Sequence, residues 1–389
     1  MSGWLIVAGA GVWIYAYAGY PFLLALSART RRRRPVPVRP PADLPQLSIS
    51  LPVFNGAATI GAALDALLAC DYPADRRQVV VVSDGSTDAT DEIVRGYAGR
   101  GVELVRVPVR GGKTAAEAFA ASWLTGEIVV NTDAAVRVHP AALRALVAEF
   151  EDPSVGVASG RDVSVAAEAR VVAGESAYVG YEMWVRQLET RVDGIVGSSG
   201  SLYAIRAALH RHSLAPNLSR DFASAMIARQ AGYRAVSVPG AVCFVPRGAS
   251  LRKEYHRKVR TMARGLATLF AFRQLLTPRH HPWFTWMLWS HKVARWLTPA
   301  GAAAVVLGVG LMAGRSWWGG VGSVSVAVVV LLGVAGWMWP AGRPTPRILA
   351  APAYFVVTTV AGVMAWYRAL GGGASATWEP TRRAAADLR

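Results

Sequence analysis

From Tyr255 to Trp378 the chain contains no aspartate or glutamate, although arginine and tryptophan recur throughout. Within that stretch lie three apolar runs, about 296–313, 318–339 and 348–367, separated by Gly/Arg and Pro/Arg loops. Crossing the hydrocarbon core of a bilayer takes about 20 apolar residues, so each run predicts a membrane-spanning helix. Ten of the 14 tryptophans fall between Trp283 and Trp378, mostly at the edges of these runs, where interfacial aromatics belong.

The other end of the chain carries a comparable feature. Residues 2–28 have no charged side chain, and Trp4 to Ala28 is long enough to cross. A cleaved signal peptide would place its positive charges before a shorter apolar stretch, whereas here Arg29, Arg31, Arg32, Arg33, Arg34 and Arg39 follow it. The segment therefore reads as a retained span. The positive-inside rule sets the amino terminus outside and the following domain in the cytoplasm of an integral, multi-pass membrane protein. Pro35 to Pro45 reads as a stiff spacer. One plus three spans would put the carboxyl tail outside, while Arg382, Arg383 and Arg389 favour inside, and the two signals conflict. Between Leu251 and Lys292 apolar residues mix with Arg257, Lys258, Arg260, Arg264 and Arg273. No run there is long enough to cross, and the pattern predicts amphipathic helices on the inner membrane surface.

The whole chain has 42 basic and 25 acidic residues, a formal +17. From Asp43 to Glu254 there are 23 acidic and 21 basic residues, a net of −2, so the excess lies entirely in the flanks. A near-neutral central domain disfavours nucleic acid as a partner, and the basic flanks suit anionic membrane lipids. Two cysteines, Cys70 and Cys243, cannot make a disulfide framework and read as cytosolic thiols.

In the central domain, Leu47–Val53, Val79–Ser83, Val102–Val107 and Glu127–Thr132 read as strands. Ala57–Ala69, Asp88–Tyr97 and Lys113–Leu124 read as the helices between them. This alternation predicts an α/β domain with a parallel sheet covered by helices on both faces, and such sheets bind ligands at the carboxyl ends of their strands. Two acids end strands there: Asp84, before Gly85-Ser86-Thr87, and Asp133, after Asn131-Thr132. Taken alone each fits a turn or helix cap as well as a ligand. Gly111-Gly112-Lys113 opens the intervening helix, and a lysine with backbone N–H groups at a helix start suits a pyrophosphate.

The pattern resembles the family 2 glycosyltransferases of GT-A fold. The resemblance rests on Leu51-Pro-Val-Phe-Asn-Gly, Ser83-Asp-Gly-Ser-Thr-Asp-Ala-Thr, Arg110-Gly-Gly-Lys-Thr-Ala-Ala and Gly126-Glu-Ile-Val-Val-Asn-Thr-Asp-Ala. It continues in order through Gly197-Ser-Ser-Gly-Ser-Leu-Tyr-Ala-Ile-Arg, Arg220-Asp-Phe and Lys258-Val-Arg-Thr-Met-Ala-Arg-Gly, and includes Ser290-His-Lys-Val-Ala-Arg-Trp before the second span. It implies a GT-A, Rossmann-like cytoplasmic domain that transfers a sugar from a nucleotide sugar, most often a UDP-sugar, with inversion. By motif position Asp84 would contact the nucleoside, Lys113 the nucleotide or its phosphates, Asp133 the metal and diphosphate, and Asp221 would be the general base. An inverting displacement needs one such base. Asp221, between the polar loop 216–220 and the apolar segment 222–231, also reads as a first-turn helix acid.

Further site expectations accompany these. Arg260 and Arg264, four apart on one helix face, would close over the diphosphate or touch anionic lipid. Gly197 and Gly200 suit a turn made for close approach to an acceptor, with Tyr203 following and Glu182 and Trp184 lining the same side. Ala135 stands where the family carries the second acid of Asp-x-Asp, which leaves Asp133 as the metal contact for Mg or Mn. Polymer-forming relatives such as cellulose and hyaluronan synthases carry Gln-x-x-Arg-Trp, but the aligned Thr261-Met262-Ala263-Arg264-Gly265 keeps only the arginine. A lipid-linked or short glycan acceptor is then at least as well served as a long polymer.

The expected organisation is a span and spacer over 1–45, the GT-A domain over 46–250, interfacial helices over 251–292, and spans and tail over 293–389. The competing class is a transporter or channel component with a non-catalytic nucleotide-binding domain. Transporters bury ionisable groups within their spans, and these runs contain no acid.

Overall fold

A computed structural model describes residues 2–31, 44–165, 175–246, 251–340, 345–373 and 376–377. The arginine-rich stretch after Arg31, most of the Pro-rich spacer and the tail arginines lie outside these residues. Two compact units divide the chain. One comprises Met1–Thr30, Arg170–Tyr178 and Gly248–Ala374, the other Arg31–Ala169, Val179–Arg247 and Ser375–Arg389.

The second unit is built on an eight-stranded sheet in the order β3-β2-β1-β4-β7-β6-β8-β5. The strands are β1 (Leu47–Val53), β2 (Arg77–Ser83), β3 (Val102–Arg106), β4 (Ile128–Thr132), β5 (Arg137–Val138), β6 (Val155–Val165), β7 (Leu202–Arg206) and β8 (Arg234–Pro246). The helices that matter here are α1 (Ile60–Leu68), α2 (Thr90–Arg95), α3 (Lys113–Ala120), α4 (Ala142–Ala148), α5 (Glu175–Val192) and α6 (Arg220–Gln230). Every residue of β1 is buried, as expected of a central parallel strand covered on both faces. In α1 the buried Ile60, Ala63, Leu64 and Leu67 recur at helical spacing, and Ile60, Leu64 and Leu67 share one core with Ile49, Leu51, Val79 and Val81.

Strands β3, β2, β1 and β4 are parallel, as expected. The other half departs from an all-parallel sheet: β7 runs antiparallel to β4 and to β6, β6 is parallel to β8, and β5 is antiparallel to β8. The chain leaves β1 toward β2 on one side and β4 on the other, and this switch point is where Asp84 and Asp133 emerge.

Among the described residues the first unit contains three helices long and apolar enough to cross a membrane: Ser2–Arg29, Trp317–Trp337 and Arg347–Leu370. The expected span at 296–313 is different. Its helix, Thr298–Met312, has 15 residues, ~22 Å at 1.5 Å per residue, and falls short of the hydrocarbon core. It reaches spanning length only together with Pro282–Trp296, to which it is bent by 51°. Pro299 in its first turn accounts for the break, because proline donates no N–H to the preceding turn.

Small residues let these helices approach closely. An ideal Cβ on Gly9 would lie 2.4 Å from the Gly301 carbonyl oxygen, and one on Gly301 would lie 2.9 Å from the Gly9 oxygen. Indole donors tie the unit together across long stretches of chain, from Trp13 to the Thr298 carbonyl at 3.0 Å and from Trp366 to the Trp296 carbonyl at 2.7 Å. Helices in lipid associate by packing of this kind rather than by hydrophobic burial. Replacing Gly301 by valine should therefore cost about 1–3 kcal/mol and lower the unfolding midpoint of the detergent-solubilised protein. An unchanged midpoint would mean that the crossing is not tightly packed.

Candidate active site

The site is assembled at the carboxyl ends of β2 and β4 and the start of α6. Asp84 continues β2: its N–H donates to the Val53 carbonyl at 2.8 Å, and its side chain is fully buried. Its two carboxylate oxygens accept one hydrogen bond each, from the Gly111 and Gly112 N–H groups, both at 2.8 Å. Asp84 thus anchors the turn that opens α3. These two N–H groups are therefore engaged inside the protein, contrary to the expectation that they stand free for a pyrophosphate.

Gly112 has φ +89°, a conformation natural to glycine, and an ideal Cβ there would lie 2.0 Å from the Ala376 carbonyl oxygen. Beside this turn the Arg110 guanidinium lies 3.6 Å from the centroid of the Phe54 ring.

With its turn anchored, α3 points Lys113 inward. The ammonium donates to Asp133 Oδ1 at 2.5 Å and to the Gly200 carbonyl at 3.1 Å. Burial by itself would pull its pKa down, but Asp133, Glu117 and Asp221 outweigh burial and raise it above lysine's ordinary value. Gly200 in turn leans on the next acid, for a Cβ there would come within 2.7 Å of Asp221 Oδ2. Asp221 stands in the first turn of α6 and accepts a hydrogen bond from the Ser219 hydroxyl at 2.5 Å. Among the described residues it forms no ion pair. Lys113, Asp133, Gly200 and Asp221 therefore converge, with Asp84 fixing the turn beneath them.

The Gly197–Ser201 loop is held from the other side by Asp162 on β6. Asp162 accepts from the Ser199 hydroxyl at 2.7 Å and the Ser201 hydroxyl at 3.2 Å, and the Ser199 N–H donates to Ser159 Oγ at 2.8 Å. Gly197 is buried in this loop. Tyr203, on β7, is 1% exposed and its hydroxyl lies inside, with a pKa raised by burial and then by Glu117. A tyrosine so placed supports the site from beneath and offers no surface to an acceptor.

Glu182 and Trp184 are two residues apart on α5 and cannot share a face. Glu182 pairs with Arg186 at 3.5 Å, while Trp184 is 45% exposed. Arg260 and Arg264 belong to the helix Leu251–Ala271 of the membrane unit, where both are half-buried.

Two residues of this site escaped sequence reasoning. Asp162 lies in a strand with no turn signal beside it. Glu117 sits one turn after Lys113 on α3, fully buried, with Arg220 Nε 3.5 Å from its Oε2. The one available signal was an acid at i+4 from a site lysine on an alanine-rich helix.

Among the described residues no group of three or more His, Cys, Asp or Glu side chains could hold a metal ion. Asp133 stands alone in this respect, with an alanine at 135.

Residues 48–203 match the family model described as Glycosyl transferase family 2. Over this stretch, from β1 to the start of β7, the chain is similar to that family. An N-acetylglucosaminyltransferase of Rhizobium sp. is 31% identical over 121 residues, covering 30% of this chain and 27% of that protein. A beta-monoglucosyldiacylglycerol synthase of Synechocystis sp. is 33% identical over 116 residues, 29% of this chain and 24% of that one. The chain spans about a quarter of the length of these two curated relatives. The mannosyltransferase PcManGT from Pyrobaculum calidifontis, solved in complex with GDP-Man and Mn2+, superposes with a TM-score of 0.72 at 23% identity. That match covers 94% of this chain and 99% of the mannosyltransferase, and the shared fold is GT-A.

If the main task of Asp84 is to hold the Gly111-Gly112 turn, Asp84→Ala should cost about 1–3 kcal/mol through two N–H groups left without acceptors. Chemical denaturation of the purified protein would measure it. Unchanged stability combined with lost nucleotide binding would instead place that carboxylate on the ligand.

Proposed function

We propose that the protein is an inverting glycosyltransferase embedded in the membrane. Its donor is a nucleotide sugar, a UDP-sugar in our reading, and its acceptor is a lipid-linked saccharide, a glycolipid precursor or a short glycan at the membrane surface. The observation that carries this reading is the convergence of Lys113, Asp133 and Asp221 around the Gly200 carbonyl, with Asp221 alone free of any ion pair among the described residues. Three apolar helices of spanning length and the likeness to a glycolipid synthase support an acceptor presented at a membrane. The arginines that follow the first span support a cytoplasmic catalytic domain.

In this reaction Asp221 takes the proton of the acceptor hydroxyl as its oxygen attacks the anomeric carbon from the face opposite the diphosphate. The bond between the anomeric carbon and the diphosphate oxygen breaks, and its electron pair leaves with the nucleoside diphosphate. Lys113 places a fixed positive charge beside the Asp133 carboxylate and the developing negative charge. The Ser219 hydroxyl and the close-packed Gly200 fix the Asp221 carboxylate in one orientation, which conserves the geometry needed for attack.

One protein carboxylate fits a divalent ion that keeps several waters and is shared with substrate phosphates, as Mg2+ commonly is. Asp133 would hold that ion, which supplies neutralisation of the leaving diphosphate when bound. Arg260 and Arg264 remain our candidates for further diphosphate contacts, and Trp184 for the acceptor side.

Asp221→Asn should lower turnover by about 10²–10⁴-fold while leaving the donor dissociation constant within about twofold, measured by nucleotide release and by calorimetry. Near-normal turnover in this variant would remove the base assignment. Chelation or Asp133→Ala should weaken donor binding without unfolding the protein, and equal donor affinity with and without Mg2+ or Mn2+ would argue against the metal. A panel of UDP-, GDP- and TDP-sugars in nanodiscs, with and without membrane lipid extract, identifies the donor. Lipid-independent transfer to a soluble glycan alone would overturn the membrane acceptor.

A further inference from the structure

In the sheet unit the half-buried Lys113 and the buried Arg220 stand beside the three acids Asp133, Asp221 and Glu117. Lys113 is committed to Asp133. Arg220 immediately precedes Asp221 in the chain and is 5% exposed, so it cannot turn to solvent. Successive helix residues do not face each other, but Asp221 is near enough to Glu117 to act on its carboxyl. A guanidinium drawn to this place and not held by Glu117 would have the Asp221 carboxylate as its next anion, and a base neutralised by an arginine is a poor proton acceptor. Glu117 prevents this. Its Oε2 lies 3.5 Å from Arg220 Nε, and Arg220 also donates to the His210 carbonyl at 2.9 Å, so the guanidinium is drawn into the fold.

Burying Glu117 is expensive. The residue is fully buried, and neither carboxylate oxygen has a hydrogen-bond donor among the described residues. The other buried residues of α3 are Thr114, whose hydroxyl is hydrogen-bonded to the Leu218 carbonyl, and the apolar Ala116 and Ala120, so an unsatisfied carboxylate is costly there. We infer that Glu117 is a positioning residue of the transferase site, which holds Arg220 and so keeps the Asp221 carboxylate free to accept a proton. The inference rests on Asp221 being the base, as proposed above.

The groups facing Asp221 and Glu117 are Lys113 from α3, Asp133 after β4, Tyr203 from β7, Arg220 from α6, and His210 before it. His210 is neutral at working pH, because burial and then the nearby arginines push its pKa down to about 3. Burial raises the Glu117 pKa, with Lys113 and Arg220 opposing. The hold on Arg220 is therefore present above that pKa and lost as the pH falls through it.

The test compares the full-length protein in nanodiscs with Glu117→Gln and with the double variant Glu117→Gln/Arg220→Gln, alongside Asp221→Asn. Glu117→Gln should lower kcat about tenfold at alkaline pH with donor KM within about twofold, and native and variant rates should converge toward acid pH. The acid limb of its kcat profile should also move to lower pH, since an uncompensated guanidinium stabilises the Asp221 anion. The double variant, which removes both charges, should restore kcat to within about threefold and return the limb to its native position.

Native kcat and an unmoved limb in Glu117→Gln would overturn the inference. So would a parallel loss of kcat and donor affinity that the double variant fails to repair, which is the mark of packing alone. Should Glu117→Gln not fold, the double variant decides: folded and active supports the inference, folded and inactive overturns it. An active Asp221→Asn defeats the base assignment itself, whatever Glu117 does.

Discussion

The carboxylate of Asp84, clamped by the Gly111 and Gly112 N–H groups, fixes everything downstream of it in the site. It ties the end of β2 to the first turn of α3, so the entry angle of that helix is set by two charge-assisted hydrogen bonds inside the fold. Lys113 is the next residue and has only one direction to go. From it run the contacts to Asp133 and to the Gly200 carbonyl, and through Gly200 the packing against Asp221. Three distant stretches of chain meet on one ammonium group. A half-buried amine raised in pKa by three carboxylates is a fixed cation at any working pH, and no side-chain reorganisation is needed when negative charge develops nearby.

The opposite demand falls on the base. A carboxylate that is to accept a proton must not be neutralised beforehand, yet the same small volume needs cations for the diphosphate. Among the described residues the roles are divided by pairing: Lys113 with Asp133, Arg220 with Glu117, and only a serine hydroxyl for Asp221. In low dielectric such assignments are worth far more than in water, and each misplaced charge would cost correspondingly.

The sequence revealed the parallel half of the sheet well, because β2 and β4 carry short valine and isoleucine runs that end at Asp84-Gly85 and Asp133, and helical stretches separate them from β1 and β3. It also revealed the acids at their ends. The antiparallel half was not legible: β6, β7 and β8 are stretches whose partners lie far along the chain, and nothing local gives their register. Asp84 was visible as a site acid, but the ligand it holds in the structure is backbone, which motif position cannot distinguish from a nucleoside. Glu117 carried almost no signal, since its meaning depends on Arg220, about a hundred positions later. The first span and the last two were plain from composition. The one between was not, because Thr298–Met312 is apolar throughout but too short, and only the 51° bend to Pro282–Trp296 shows how that segment is built.

Shape and charge are specified by different means in the two units. In the membrane unit glycines set helix separation: Gly9 on Gly301, and Gly333 on Pro352 and Val356, leave no room for a side chain. In the sheet unit tight glycines occur both beside strands, as at Gly126 against Ser48 and Gly194 against Ala235, and at the site, where Gly200 gives way to Asp221 and Gly112 to the Ala376 carbonyl. A methyl group at Gly200 would displace the very carboxylate proposed to move a proton, by steric contact and without altering any charge. Glycine there is thus explained by the position of the Asp221 side chain, and the closeness of that packing constrains where an acceptor hydroxyl can approach.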